Sequence, residues 1–186
     1  DADIIVPLGV YLDDELAANY KNFAQQLANF CAKSFYRSNE VIGIIGLKPL
    51  QNPSRLNIIN RVKKHQDLNL DFFLQDEKFN NIVDNDGNLV DVGKYIRVVG
   101  HDLLVNDTNL AVPTIENGAV AYAAVKSMLD GDNSPTNEVI PGVRLAYKYS
   151  TAQMNTLSGL KIVTFKTSDN QVKIADGITC AVRGSG

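Results

Sequence analysis

Val41-Ile42-Gly43-Ile44-Ile45-Gly46-Leu47 is a run of branched aliphatic residues broken only by two glycines. A shorter run of the same kind, Ile4-Ile5-Val6, stands upstream and is closed by Pro7 and Gly9. Between them Leu16, Tyr20, Phe23, Leu27, Phe30, Cys31 and Phe35 recur at three- and four-residue steps, which predicts a helix with one apolar face. An apolar run on each side of an amphipathic helix is the pattern of a βαβ unit, whose strands run parallel and are covered by helices. The expected fold class is α/β (α+β): a βαβ-containing mixed sheet covered by helices, with a C-terminal helix–β-hairpin element. Residues 1–130 are expected to form the α/β core. Residues 131–186 are expected to pack on the same sheet within one compact domain.

Gly43 and Gly46 inside the second strand predict close backbone approach. They form no phosphate loop, because no Gly-rich turn opens a helix behind them. Upstream, Asp13 and Asp14 read as capping groups for the first helix, in preference to a metal pair. That helix is expected to end near Ser38-Asn39. Downstream, Pro53 predicts the first turn of a second helix, with Asn52 as its cap, running to about Lys64. Arg61, Lys63, Lys64 and His65 then compensate the dipole of its last turn. Leu70-Phe72-Phe73-Leu74 is a candidate strand.

Asp84-Asn85-Asp86-Gly87-Asn88 looks like the start of a calcium loop but lacks the closing bidentate Glu, so it reads as an Asp-Gly hairpin turn. The next strand is either Leu89 to Val92 or Tyr95 to Val99. His101 and Asp102 follow. A His-Asp pair at a strand end suits catalysis, yet no nucleophile in a recognisable setting accompanies it. Beyond Leu103-Leu104-Val105 and a polar turn over Asn106 to Asn109, Thr114 is expected to cap a third helix. Glu116 falls early in that helix, Ala119, Tyr122, Ala123 and Met128 form its buried side, and Asp130-Gly131-Asp132 ends it. Residues 133–137 read as a loop. Val143-Arg144-Leu145-Ala146-Tyr147 lies beyond it. Ser150 caps a short helix through Leu157. Lys161 to Lys166 and Val172 to Ile174 alternate around Asp169-Asn170, predicting a hairpin with one wet face.

The 186 residues are 45% hydrophobic with a net charge of -3, which argues against disorder and gives no footprint for nucleic acid or anionic membrane. No apolar run approaches the roughly 18 residues of a membrane helix, and no signal peptide or fixed-period repeat is apparent. The chain begins at Asp1 rather than at Met, as a fragment would. Cys31 and Cys180 have no metal-like spacing and read as buried, reduced thiols.

Several stretches in one order resemble the contractile tail sheath proteins of bacteriophages. They are the small-residue helix Asn117-Gly118-Ala119-Val120-Ala121, then Pro135-Thr136-Asn137-Glu138, then Val139-Ile140-Pro141-Gly142. A short helix, Ser150 to Leu157, leads to the strand Gly159-Leu160-Lys161-Ile162-Val163. A hairpin then returns through Val172 to Thr179. In the family that return ends in a Trp-Gly-x-Arg-Thr type element, of which Gly177 and Thr179 are present. The opening strand feeding a long helix is similar too. The resemblance implies a structural role: copies of the subunit stack as a helical sleeve around a tail tube, attached to a baseplate, and the sleeve shortens to drive the tube through a host envelope. It implies a place in the virion tail, and no catalytic residue, cofactor or metal. A type VI secretion or contractile bacteriocin sheath would share the fold. The competing reading is an α/β enzyme with His101, Asp102 and Asp3 near strand ends. A concave pocket with convergent polar groups is expected of the enzyme and not of the sheath. The chain starts close to its first strand and ends in a Gly-rich tail, so as given it is expected to be mostly monomeric.

Overall fold

The computed structural model describes residues 3–14, 20–37, 39–106, 112–129 and 133–182. Strand β1 (Asp3–Ile5) pairs in parallel with β2 (Val41–Gly46), Asp3 opposite Val41 and Ile5 opposite Gly43. The helix between them is α1 (Tyr20–Phe35). On the other side of β2 lies β3 (Ile96–Val99), and beyond it β8 (Ile162–Val163), both parallel. The resulting four-stranded sheet, ordered β1-β2-β3-β8, is the βαβ-based core that the two aliphatic runs predict.

Both faces of this sheet are covered, and the pleat divides its side chains between them. Val41, Ile45, Ile96 and Val98 join one apolar cluster with α1, α2 (Arg55–Gln66) and α4 (Thr151–Gly159). Ile42, Ile44, Val99 and Val163 join another with α3 (Ala119–Ser127) and the C-terminal hairpin. The glycines of β2 serve one face each. A Cβ on Gly43 would stand 2.6 Å from Ile96 Cδ1 and 2.8 Å from Leu27 Cγ of α1. A Cβ on Gly46 would meet Asn117 Oδ1 at 2.4 Å. The Asn117 amide is held there by donating to Leu47 O (2.8 Å) and Val99 O (2.9 Å).

The buried stripe of α1 is Ala24, Leu27, Ala28, Cys31 and Ala32. The expected aromatic stripe is corrected: Phe23, Phe30 and Phe35 are 38%, 54% and 46% exposed. The bare backbone of Gly43 against Leu27, with the buried alanines of α1, brings helix and sheet close together, which leaves no room for rings between them. Leu16 and the side chain of Tyr20 lie outside the described residues, as do Asp107 to Asn109 and Asp130 to Asp132. The α1 helix ends at Phe35, short of Ser38-Asn39. Cys31 and Cys180 are buried free thiols, pushed by burial up to about 11 and about 12.

The second helix starts two residues later than expected. Ser54, in extended geometry, is its cap and accepts from Asn57 N at 3.2 Å, while Asn52 contributes only its carbonyl. In place of a strand over Leu70 to Leu74, Leu70 and Phe72 are buried and the chain enters a compact double turn. Leu74 N donates to Val90 O, Val90 N to Ile82 O and Ile82 N to Leu74 O, at 2.8, 3.2 and 2.8 Å. Residues 74, 82 and 90 thus close a ring, and the two excursions between them are alike. Asp76 Oδ1 accepts from Lys78 N and Asn80 N; Asp84 Oδ1 accepts from Asp86 N and Asn88 N. Phe79 and Gly87 sit at the equivalent positive φ, 65° and 84°. An eight-residue repeat is therefore present that composition does not reveal. The Asp84 carboxylate of the calcium-like motif serves this turn.

Strand β4 (Asp102–Val105) pairs antiparallel with β5 (Thr114–Asn117) and β7 (Arg144–Leu145). Thr114 and Glu116 are thus strand residues, not the start of a helix, because β4 needs a partner for its backbone groups. Helix α3 begins only after Gly118. Its Ala119, Tyr122 and Ala123 are buried as expected, whereas Met128, past the last turn, is 71% exposed. Ser150 caps α4 through a capping box with Gln153. The alternating run from Lys161 is divided at Thr164: β8 enters the parallel sheet and β9 (Phe165–Ser168) pairs with β10 (Gln171–Ile174), which also pairs with β6 (Val139–Ile140). The turn at Asp169-Asn170 has φ of 53° and 59°, a primed hairpin turn.

Candidate functional site

Parallel sheets place ligands beyond the carboxyl ends of their strands. His101 and Asp102 stand there, just past β3, and both are completely buried. Asp3 does not join them, because it lies at the opposite end, where β1 starts.

His101 is enclosed by aromatic rings, with centroids 5.1 Å from Tyr147, 4.6 Å from Tyr149 and 5.7 Å from Phe165. Phe165 N donates to its Nδ1 at 3.0 Å, so the ring proton is on Nε2, which donates to Tyr147 O at 2.9 Å. Burial lowers its pKa to about 4, so the ring is neutral at physiological pH. With both nitrogens engaged, it has no lone pair or proton to offer a substrate.

Asp102 Oδ2 accepts from Arg61 Nη1 (2.7 Å), Leu50 N (2.8 Å) and Tyr147 OH (2.9 Å). Burial pushes this carboxyl up, against the pull of Arg61 and the other donors. Burial opposes the Arg61 cation too, but the negative ends of Tyr147 and Asp102 outweigh it and raise its pKa. The tyrosine hydroxyls are likewise pushed up by burial, and Tyr149 OH donates to Gly100 O at 3.0 Å. His101 and Asp102 are sequence neighbours that serve separate ends of a packing network. Arg61 belongs to that network too, which corrects its reading as a dipole-compensating group.

Above the network opens a cleft of about 360 Å³, lined among others by Asp13, Lys48, Asn60, Arg61, Lys64 and His65. Asp13 is not placed as a helix cap. Its Oδ1 accepts from Lys48 N at 2.6 Å, and its Oδ2 lies 3.4 Å from His65 Nε2. Burial alone would raise its carboxyl, but the His65 and Lys48 hydrogen bonds hold it below its ordinary value. Asp14 pairs with Lys48 Nζ at 3.2 Å. Two buried atoms, Arg61 Nε and His65 Nδ1, have no hydrogen-bond partner. Arg61 Nε leaves a donor unused beside the cleft, while the Lys48 and Arg61 cations are matched by Asp14 and Asp102. Among the described residues lining the cleft there is no hydroxyl or thiol nucleophile. A polar cleft is thus present where a sheath was expected to have none. The sequence reading missed Lys48, Tyr147 and Tyr149 as members of these clusters; the Tyr-x-Tyr spacing was the available signal for the last two.

Among the described residues no group of three or more His, Cys, Asp or Glu is placed to hold a metal ion, and no helix is long and apolar enough to cross a membrane. No family model matches the chain. No curated protein matches it in sequence. Among solved structures it is similar to the cryo-EM structure of the anti-feeding prophage (AFP) helical sheath in the contracted state. The TM-score is 0.46 at 14% identity, over 88% of this chain and 36% of that one.

Proposed function

We propose that the chain is part of a structural subunit of a contractile sheath, most simply that of a phage tail. Its segments 1–130 and 131–186 then act as one building block. The observation that carries the reading is the ordered series of motifs in the second half, and each falls on a defined element. The small-residue stretch opens α3, and the Pro135 to Glu138 turn leads into β6. The capped helix is α4, and the strand and hairpin that follow are β8, β9 and β10. In this reading copies of the subunit surround a tail tube above a baseplate, in the virion tail. The subunit works without turnover or cofactor, because free energy stored in the extended lattice drives contraction. A type VI secretion or bacteriocin sheath is the same reading in another setting. The internal engagement of His101 and Asp102 supports a structural role for that pair. Negative-stain electron microscopy of the full-length parent protein tests the proposal: tubes or stacked rings of uniform diameter are expected, and dispersed globular particles under all assembly conditions overturn it.

One observation favours a second reading, a binding or catalytic site for a small polar molecule: the cleft holding Asp13 and His65. Turnover lost in Asp13→Asn with folding intact would support it.

A further inference from the structure

The parallel pairing of β1 with β2 is interrupted and then resumed. It stops at Ile5 opposite Gly43 and is taken up again at Tyr11 opposite Gly46, where Leu12 N donates to Gly46 O at 3.0 Å. Five residues, Val6 to Val10, thus stand where β2 advances by only two, so the chain arches away from the edge of the sheet. Pro7 has no N–H to continue the ladder, and Gly9 turns the arch at a φ of 69°. Beneath the arch, past the carboxyl ends of β1 and β2, lies a cavity of about 430 Å³ that shares no lining residue with the cleft of Asp13 and His65. Leu103 and Val105 of β4, Ala121 and Ala124 of α3, and Val143 form its other walls, so the lining is largely apolar. Its volume falls within the roughly 300–1,000 Å³ of small-molecule sites, and its place is where open parallel sheets put their ligands.

Among the described residues, three with polar side chains line the cavity: Tyr11, Glu116 and Asn117. The Asn117 amide is fully engaged within the fold, since its nitrogen donates to Leu47 O and Val99 O and its Oδ1 accepts from Ala119 N at 2.8 Å. Tyr11 and Glu116 remain. Among the described residues, no hydrogen bond or ion pair engages either side chain. Burial raises the Tyr11 hydroxyl above its ordinary value; the Glu116 carboxylate adds to the rise, followed by Asp102 and Asp14, with Lys48 opposing. Tyr11 is therefore a neutral group within the field of Glu116. Glu116 itself is exposed, and it is the one charged side chain among the described residues of the lining. An anionic guest would meet only like charge there.

We propose that this cavity binds a small amphiphilic amine, with its apolar body under the arch and its ammonium group at the rim, against Glu116 and the Tyr11 hydroxyl. The apolar body supplies most of the binding, because it leaves water for a lining of aliphatic side chains. The ammonium group selects: it donates to the carboxylate and to the phenol oxygen, whereas a carboxylate head is repelled by Glu116. Because Glu116 is exposed, its preference for a cation is modest and is screened by salt. The site is complete within one copy of the chain and needs neither assembly nor the Asp13 cleft.

The test uses n-octylammonium, n-octanol and octanoate, which share one apolar body and differ in head group. Each is titrated at low salt into the isotopically labelled whole chain, and amide chemical shifts are followed. Octylammonium should give saturable shifts along Val6 to Tyr11 and on α3. Octanol should bind about threefold to fivefold more weakly, and octanoate about tenfold or more. Glu116→Gln should bring the amine down to the level of octanol, and raised salt should do the same in the native chain. Ala124→Leu, a change at an exposed helical position, extends a larger side chain into the cavity and should weaken all three ligands about tenfold. Thermal melts check its folding; should it fail to fold, the head-group series and Glu116→Gln still decide. Shifts that do not saturate, or saturable shifts elsewhere that Ala124→Leu leaves unchanged, overturn the site. Octanol or octanoate bound as tightly as the amine overturns the assigned ligand class.

Discussion

Arg61 Nη1 lies 2.7 Å from Asp102 Oδ2, with the Asp102 side chain fully buried and that of Arg61 6% exposed. This ion pair ties α2 to the start of β4 across the end of the parallel sheet. Removing one member of a buried pair strands the other charge, so Arg61→Met or Asp102→Asn should each cost about 3–5 kcal/mol. The double variant should cost clearly less than the sum of the two, because it leaves no charge stranded. Urea titrations of the four proteins check this; strict additivity would show that the pair is not coupled.

Stability should fall with pH in a window set by His101. Its folded pKa of about 4 lies below the ordinary 6.5. The unfolded chain therefore binds the extra proton between those values, and the native state loses ground as the pH drops. The contribution is complete above 6.5, is lost as the pH falls towards 4, and amounts to about 3 kcal/mol. The depressed carboxyl of Asp13 acts in the same sense but below the ordinary carboxylate value, outside this window. Denaturation midpoints measured from pH 7 to 4 should decline for the native chain and run flatter, from a lower starting level, for His101→Gln.

On α1 the two apolar positions 23 and 27 should behave differently. Leu27→Ala should cost about 2–5 kcal/mol, as buried leucine truncations do. Phe23→Ala, at a half-open position, should cost less than about 1 kcal/mol. Gly43→Ala would drive a methyl group against Leu27 and Ile96, at a cost of about 1–3 kcal/mol. Combining Gly43→Ala with Leu27→Ala should be less damaging than the sum, since the second change vacates part of the space the first requires. Denaturant midpoints of the four variants decide it.

Phe79→Gly should raise stability by about 1 kcal/mol or less. A left-handed conformation costs a non-glycine residue roughly 1–2 kcal/mol, partly offset by the extra entropy glycine loses on folding. The ring is mostly in water, so little burial is forgone. The repeat supplies the precedent, because Gly87 already fills the matching position. A thermal melt shifted downward would mean that the Phe79 ring holds the turn together.

What was legible in the chain followed from patterns that involve neighbours in sequence. The parallel pairing of β1 with β2, the Ser150 cap and the Asp169-Asn170 turn all rest on local chemistry. The errors came where a distant segment decided. Thr114 has the look of a helix cap until β4 requires a strand partner. Phe23 and Phe30 look like core residues until Gly43 and the alanines draw the helix against the sheet. Arg61 looks like a dipole-compensating surface cation until Asp102, from another element, reaches it. The cleft was invisible for the same reason: Asp13, Lys48 and His65 come from three separate stretches, and no spacing rule connects them. The eight-residue repeat escaped notice because its matching residues, Leu74, Ile82 and Val90, are alike in backbone role more than in side chain.

The division of the last aliphatic run at Thr164 has a mechanical meaning. Val163 pairs with Val99 in the parallel sheet while Phe165 pairs with Ile174 in the hairpin, and Thr164 O accepts from Ala175 N at 2.9 Å. One buried residue thus joins two sheets, with no slack between them. The hairpin is a lever whose fulcrum is Thr164 and whose short arm is β8. A sideways push on its tip at Asp169-Asn170 reaches β3 as shear along the β8–β3 ladder, where the bonds resist together instead of opening one at a time.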